Sequence, residues 1–149
     1  MIIALDDEQN ALESLLGAIQ KAAGEEAVGF RKTADALAFA REHPCDVAFL
    51  DIETRDGSGL DLARELLALN PRLNLIFTTG YSEYGTAALG MHASGYILKP
   101  VTPEKIKKEL RDLRYPLTEK SVLSRPFYIR AFGNFEIYSV GLPVRFHYT

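Results

Sequence analysis

The sequence predicts an α/β fold: (βα)5, a doubly wound parallel sheet of strand order 2-1-3-4-5, with a short antiparallel β segment at the C-terminal end. Three observations predict it. Five strand-length apolar runs alternate with stretches of helical periodicity. The runs lack a polar alternate, as strands covered on both faces do. Chemically able residues cluster just after runs one, three, four and five, where a doubly wound sheet gathers its function.

The elements follow in order. Ile2–Leu5 is the first strand, Ala27–Phe30 a weaker second, Val47–Leu50 the third, Leu73–Phe77 the fourth and Tyr96–Leu98 the fifth. Leu12, Leu15, Leu16 and Ile19 repeat at i, i+3, i+4, i+7, and Gly24 stands just past the helix they define. Thr33 is placed to cap a second helix, carrying Leu37 and Phe39 and stopping near Pro44. Leu60, Leu62, Leu66, Leu67 and Leu69 fill a third, ended by Asn70-Pro71. Residues 83–92 make a fourth, weakened by Gly85 and Gly90. Thr102-Pro103 opens a fifth, with Ile106, Leu110 and Leu113 as its apolar face. The domain plan is 1–114 for the α/β unit, 115–126 for a proline-bearing linker and 127–149 for an incomplete β-rich unit. In the last part, Phe127–Phe132, Phe135–Tyr138 and Val144–His147 read as strands joined by turns.

Bulk properties exclude several classes. The 149 residues carry a net charge of −3, so no global basic field draws the chain to nucleic acid or anionic lipid. The apolar runs are too short to span a bilayer. Met1 leads directly into the first strand without a basic n-region, so no signal peptide is expected and the cytoplasm is the default compartment. Cys45 is the single cysteine, which rules out an internal disulfide; it reads as a small buried filler.

The polar residues at the strand ends are Asp6-Asp7, Asp51, Thr78-Thr79-Gly80 and Lys99-Pro100. Order 2-1-3-4-5 makes strands one, three, four and five neighbours, so these groups converge. Three gathered carboxylates repel unless a hard cation joins them, and Mg²⁺ prefers oxygen ligands. A carboxylate oxygen can attack phosphorus to give an acyl phosphate. A lysine and a metal ion then neutralise charge on the transferring phosphoryl group, and a threonine hydroxyl can donate to it. Singly, each residue has a plainer reading: Asp6-Asp7-Glu8 as a solvated helix start, Thr79 as a cap, Lys99 as surface. Together and in order they make a specific constellation.

On these residues, 1–114 resembles the receiver domain of two-component response regulators, with their CheY- or flavodoxin-like fold. The matching pieces are Ala4-Leu5-Asp6-Asp7-Glu8, Phe49-Leu50-Asp51-Ile52, Phe77-Thr78-Thr79-Gly80 and Gly95-Tyr96-Ile97-Leu98-Lys99-Pro100. The resemblance implies Asp51 as phosphoacceptor from a sensor histidine kinase, and Mg²⁺ held by Asp7 and Asp51 directly. It implies Asp6 as a ligand through water and the Glu53 main-chain carbonyl as the remaining protein ligand. Thr79 and Lys99 would contact the phosphoryl group, and Tyr96 would move inward as Thr79 is drawn to it. A homodimer through the fourth helix, fifth strand and fifth helix is a further expectation. So is a cis Lys99–Pro100 bond that turns Lys99 into the site. Thr54 and Arg55 stand where the family usually has Met-Pro, while Gly59 keeps the family glycine.

The tail, Tyr128–Tyr138 followed by Gly141–Phe146, resembles the opening sheet of OmpR/PhoB-type winged-helix domains, nearest to antibiotic-regulatory-type activators. This implies a truncated transcription factor whose DNA contact lies in the missing part of the effector domain. Two other readings stand beside the first: a degenerate receiver used only for docking, and an aspartate-nucleophile phosphatase of haloacid-dehalogenase type. The second would need an aspartate where Glu53 stands. A nucleotide-binding Rossmann unit lacks its Gly-rich turn after strand one.

Overall fold

The computed structural model of the chain describes residues 1–80, 88 and 90–117. The elements run β1 (Ile2–Leu5), α1 (Gln9–Ala23), β2 (Ala27–Phe30), α2 (Thr33–Glu42), β3 (Val47–Asp51), β4 (Glu53–Thr54), β5 (Gly57–Ser58), α3 (Gly59–Leu69), β6 (Asn74–Thr79), β7 (Gly95–Leu98) and α4 (Pro103–Arg111). Five strands form one parallel sheet in the order β2-β1-β3-β6-β7. With the small β4–β5 pair set aside, this is the predicted 2-1-3-4-5 order.

Strand alternation divides the apolar side chains between two cores. Ile3, Leu5, Val28, Phe30, Leu50 and Phe77 face α2 and α3, meeting Phe39, Leu62 and Leu66. Ile2, Ala4, Val47, Phe49, Ile76 and Ile97 face α1 and α4, meeting Leu12, Leu16, Ile19 and Ile106. Burial on both faces is why the runs have no polar alternate. The edge strand β7 departs from that pattern, since Tyr96 is half-buried and Leu98 exposed.

Three helix ends carry a recognisable cap, and a fourth is capped from elsewhere in the chain. Gly24 takes the left-handed conformation at φ 69° and returns its N–H to the Gln20 carbonyl, closing α1. Ser58 accepts from the Leu60 N–H at the start of α3, and Thr102 accepts from the Lys105 N–H at the start of α4. Thr33 is not the cap of α2. It is the first helical residue, and its N–H and Oγ1 donate to the Asp56 carboxylate, 2.8 and 3.2 Å away. The cap is therefore lent by the β4–β5 turn. That antiparallel hairpin pairs Glu53 with Ser58 and Thr54 with Gly57, and is an element the sequence did not announce. Its two-residue strands are too short to show alternation.

The predicted fourth helix falls mostly outside the described residues, and the predicted antiparallel strands of 127–149 fall wholly outside them. Cys45 is buried, as expected of a filler. At the amino end of the sheet the first residues of the expected linker pack on the α/β unit. The buried Asn74 side chain donates to the Tyr115 carbonyl and accepts from the Tyr115 N–H, both at 2.8 Å. Its oxygen also accepts from Ser94 Oγ at 2.9 Å, and its nitrogen donates to the Asp46 carbonyl at 3.1 Å. The Arg72 guanidinium lies over the Tyr115 ring, 5.0 Å from its centre.

Candidate functional site

Parallel pairing brings the carboxyl ends of β1, β3, β6 and β7 to one rim. Asp6 and Asp7 follow β1, Asp51 ends β3, Thr79 ends β6, and Lys99 follows β7. Carboxylate oxygens of Asp6, Asp7 and Asp51 all lie within 4.8 Å of one another. Asp6 and Asp51 are buried, and Asp7 is half-buried. Lys99 Nζ reaches between the two buried groups, 2.8 Å from Asp6 Oδ2 and 3.4 Å from Asp51 Oδ2. The Lys99–Pro100 peptide bond is cis, as the sequence reading expected.

The electrostatics follow from that grouping. Burial raises the Asp51 carboxyl from 3.8 to about 6, and the neighbouring Asp6 charge pushes the same way. Lys99 and the Glu53 N–H pull it down without cancelling the rise. Burial alone would lower the Lys99 ammonium; the hydrogen bond and charge of Asp6, with Asp51 behind them, hold it above its ordinary value instead. The cluster is thus short of positive charge. Closely spaced hard oxygen donors around a like-charge deficit suit a Mg²⁺ ion, so the donor set fits the metal that the sequence reading implied.

Backbone contacts hold β3 and its terminal Asp51 in place. Gly59 begins α3 directly against it, and its N–H donates to the Ile52 carbonyl at 2.8 Å. A Cβ at position 59 would stand 2.0 Å from the Asp51 carbonyl oxygen, so only glycine allows this approach. The Ile52 N–H donates to the Thr78 carbonyl at 3.2 Å, extending the β3–β6 ladder past Asp51. Thr79 is buried, and its carbonyl accepts from the Lys99 N–H at 2.8 Å. Among the described residues, Thr78 Oγ1 is buried with no hydrogen-bond partner. Tyr96 lies in β7 paired beside Phe77 and packs against the α2–α3 core. Glu53 opens the hairpin with its side chain exposed.

Two arginines that sequence reasoning left without a role reach Asp7. Arg31 Nε donates to the Asp7 main-chain carbonyl at 3.2 Å. The Arg55 N–H donates to Asp7 Oδ2 at 2.9 Å, and Arg55 Nε lies 3.7 Å from the same oxygen. Arg55 stands out in sequence as a departure from the usual Met-Pro, in a charged loop able to alter access to Asp51; no local pattern points it toward Asp7.

An open parallel α/β unit with an oxygen-rich acidic centre and a lysine at the carboxyl rim is the architecture of CheY-like signalling receivers. The chain belongs to the response regulator receiver domain family, whose model matches residues 2–111. It is 33% identical over 135 residues to the transcriptional regulatory protein CreB of Escherichia coli, covering 89% of this chain and 57% of that protein. It is 37% identical over 109 residues to the sensory transduction protein LytT of Enterococcus faecalis, covering 70% and 44%. Among solved structures, the response regulator TrrA of Thermotoga maritima in complex with Mg²⁺-BeF superposes with a TM-score of 0.67. That match is 28% identical and covers 74% of this chain and 95% of TrrA. The chain spans about half the length of the curated relatives it matches. No described helix is long and apolar enough to cross a membrane.

Proposed function

We propose that the chain is a working receiver: Asp51 accepts a phosphoryl group from the phosphohistidine of a sensor kinase, and the modified domain switches a transcriptional output. One observation carries the reading. Asp6, Asp7 and Asp51 converge within 4.8 Å of one another while Lys99 Nζ bridges Asp6 and Asp51. A docking-only receiver has no need of a buried, charge-deficient cluster with its lysine in place.

Each residue has a role in this reading. An Asp51 oxygen attacks phosphorus, the bond from phosphorus to the donor nitrogen breaks, and the electron pair leaves with the imidazole. Lys99, held by Asp6, offers its ammonium to the incoming phosphoryl oxygens. Asp7 and Asp51, with the Glu53 carbonyl and Asp6 through water, would hold Mg²⁺, which supplies charge neutralisation at those oxygens when bound. Thr79 donates its hydroxyl to the phosphoryl group, and Tyr96 on the adjoining strand fills the space that Thr79 leaves. The chain is then a phosphoacceptor and not a turnover enzyme. The likeness to the transcriptional regulatory protein CreB and the sensory transduction protein LytT supports a regulatory output. In this reading residues 1–114 are the receiver, 115–126 the linker and 127–149 the start of a DNA-binding effector. The protein works in the cytoplasm, with homodimerisation through the predicted fourth helix, β7 and α4.

The test is intact-mass measurement after incubation with acetyl phosphate and Mg²⁺. One added phosphoryl mass, lost in Asp51→Asn and suppressed by EDTA, is the expected result. An unchanged mass under these conditions, or label that persists in Asp51→Asn, overturns the proposal.

A further inference from the structure

Asp7 is gripped by a cation that belongs to the hairpin. The Arg55 N–H and Nε both address Asp7 Oδ2, at 2.9 and 3.7 Å. The next carboxylate in sequence, Asp56, is turned the other way and tied to the N-terminus of α2 through Thr33. Asp7 is therefore the acid Arg55 meets, and the hairpin is pinned on both sides. The contact joins positions 48 apart in sequence.

Around that centre, three carboxylates face Lys99 on the inside and Arg55 on the outside. Lys99 serves Asp6 and Asp51, while Arg31 bonds only the main-chain carbonyl of Asp7 and Arg55 addresses its carboxylate. A divalent cation arriving at this centre needs an Asp7 oxygen and meets the positive charge of the guanidinium already beside it. We propose that Arg55 is a tethered competitor for the divalent cation and sets its affinity. This rests on the reading of Asp7 as a metal ligand and goes beyond it, by assigning a determinant of metal occupancy outside the ligand set. The Arg55 side chain is 89% exposed, so solvent screens its effect and the competition tunes occupancy without abolishing it.

The experiment is calorimetric titration of the full chain with MgCl₂ at low ionic strength, comparing wild type, Arg55→Gln, Arg55→Lys and Asp7→Asn. Glutamine removes the charge and keeps the main-chain N–H bond to Asp7. The expected result is about two- to fivefold tighter Mg²⁺ binding in Arg55→Gln, the range open to an exposed ion pair. Arg55→Lys should stay near wild type, and the difference should shrink once salt brings the Debye length below about 10 Å. Equal or weaker binding in Arg55→Gln, with Asp7→Asn still impaired, overturns the competitor role and leaves the metal reading standing. Binding that is unaffected by Asp7→Asn, or absent in wild type, overturns both.

Discussion

Replacing Asp51 by asparagine removes one charge from a crowded group of carboxylates and leaves the side-chain shape almost unchanged. In the folded chain burial and the Asp6 charge raise the Asp51 carboxyl from 3.8 to about 6. A carboxyl whose folded value lies above its unfolded value stabilises the fold only while protonated. Its contribution is complete below pH 3.8 and is lost as pH rises through about 6. At neutral pH without metal, the ionised wild-type group therefore weakens the fold. About two pH units at roughly 1.4 kcal/mol each is about 3 kcal/mol. Water at the open rim screens the charge and reduces this to about 1–2 kcal/mol. Asp51→Asn should gain that amount at pH 7.5 in EDTA, a rise of roughly 3–8 °C in Tm. Lys99 keeps its shorter bond, 2.8 Å to Asp6, so the variant leaves no new unpaired cation. Urea denaturation followed by far-UV circular dichroism at pH 7.5 and pH 4 measures the effect. The gain should fade at pH 4, and Mg²⁺ added at pH 7.5 should narrow it by stabilising the wild type alone. A variant no more stable than wild type at pH 7.5 without metal would refute the charge-deficit reasoning.

Three other substitutions probe the sheet, two beside the site and one at its opposite end. Gly59→Ala drives a Cβ into the Asp51 carbonyl and should cost about 2–3 kcal/mol in urea denaturation. Thr78→Val removes a buried hydroxyl without a partner and should stabilise the unphosphorylated protein by about 1 kcal/mol in the same assay. Asn74→Ala removes the side-chain amide that bonds both the N–H and the carbonyl of Tyr115; faster amide hydrogen exchange at Tyr115 and a loss of about 1–3 kcal/mol are expected.

Much of this was legible in the sequence because its signals are local. An apolar strand runs directly into its rim residue at Leu5-Asp6-Asp7, Leu50-Asp51 and Leu98-Lys99, so order 2-1-3-4-5 sufficed to bring Asp6, Asp7, Asp51 and Lys99 together. The pattern failed where a partner comes from far along the chain. Thr33 looked like a cap because its own side chain can accept a bond, yet the capping carboxylate is Asp56, 23 positions away. Asn74 is a lone polar residue entering an apolar strand, and its reason lies 41 positions on, at Tyr115. Gly59 was noticeable as a kept glycine, but its necessity is a backbone approach that no spacing encodes. Arg55 is the sharpest case: a charged loop residue whose meaning depends on the turn that folds it back over Asp7.

In the proposed reading Asp51 is the one acceptor, and the position of the phosphoryl group can be read covalently. Borohydride reduces an aspartyl phosphate to homoserine, leaving a permanent mark where the phosphoryl group stood. The full chain, treated with acetyl phosphate and Mg²⁺, reduced and mapped by peptide mass spectrometry, should carry homoserine at position 51 and at no other aspartate. Homoserine at Asp6 or Asp7, or none at position 51 in protein that has gained a phosphoryl mass, would contradict the account.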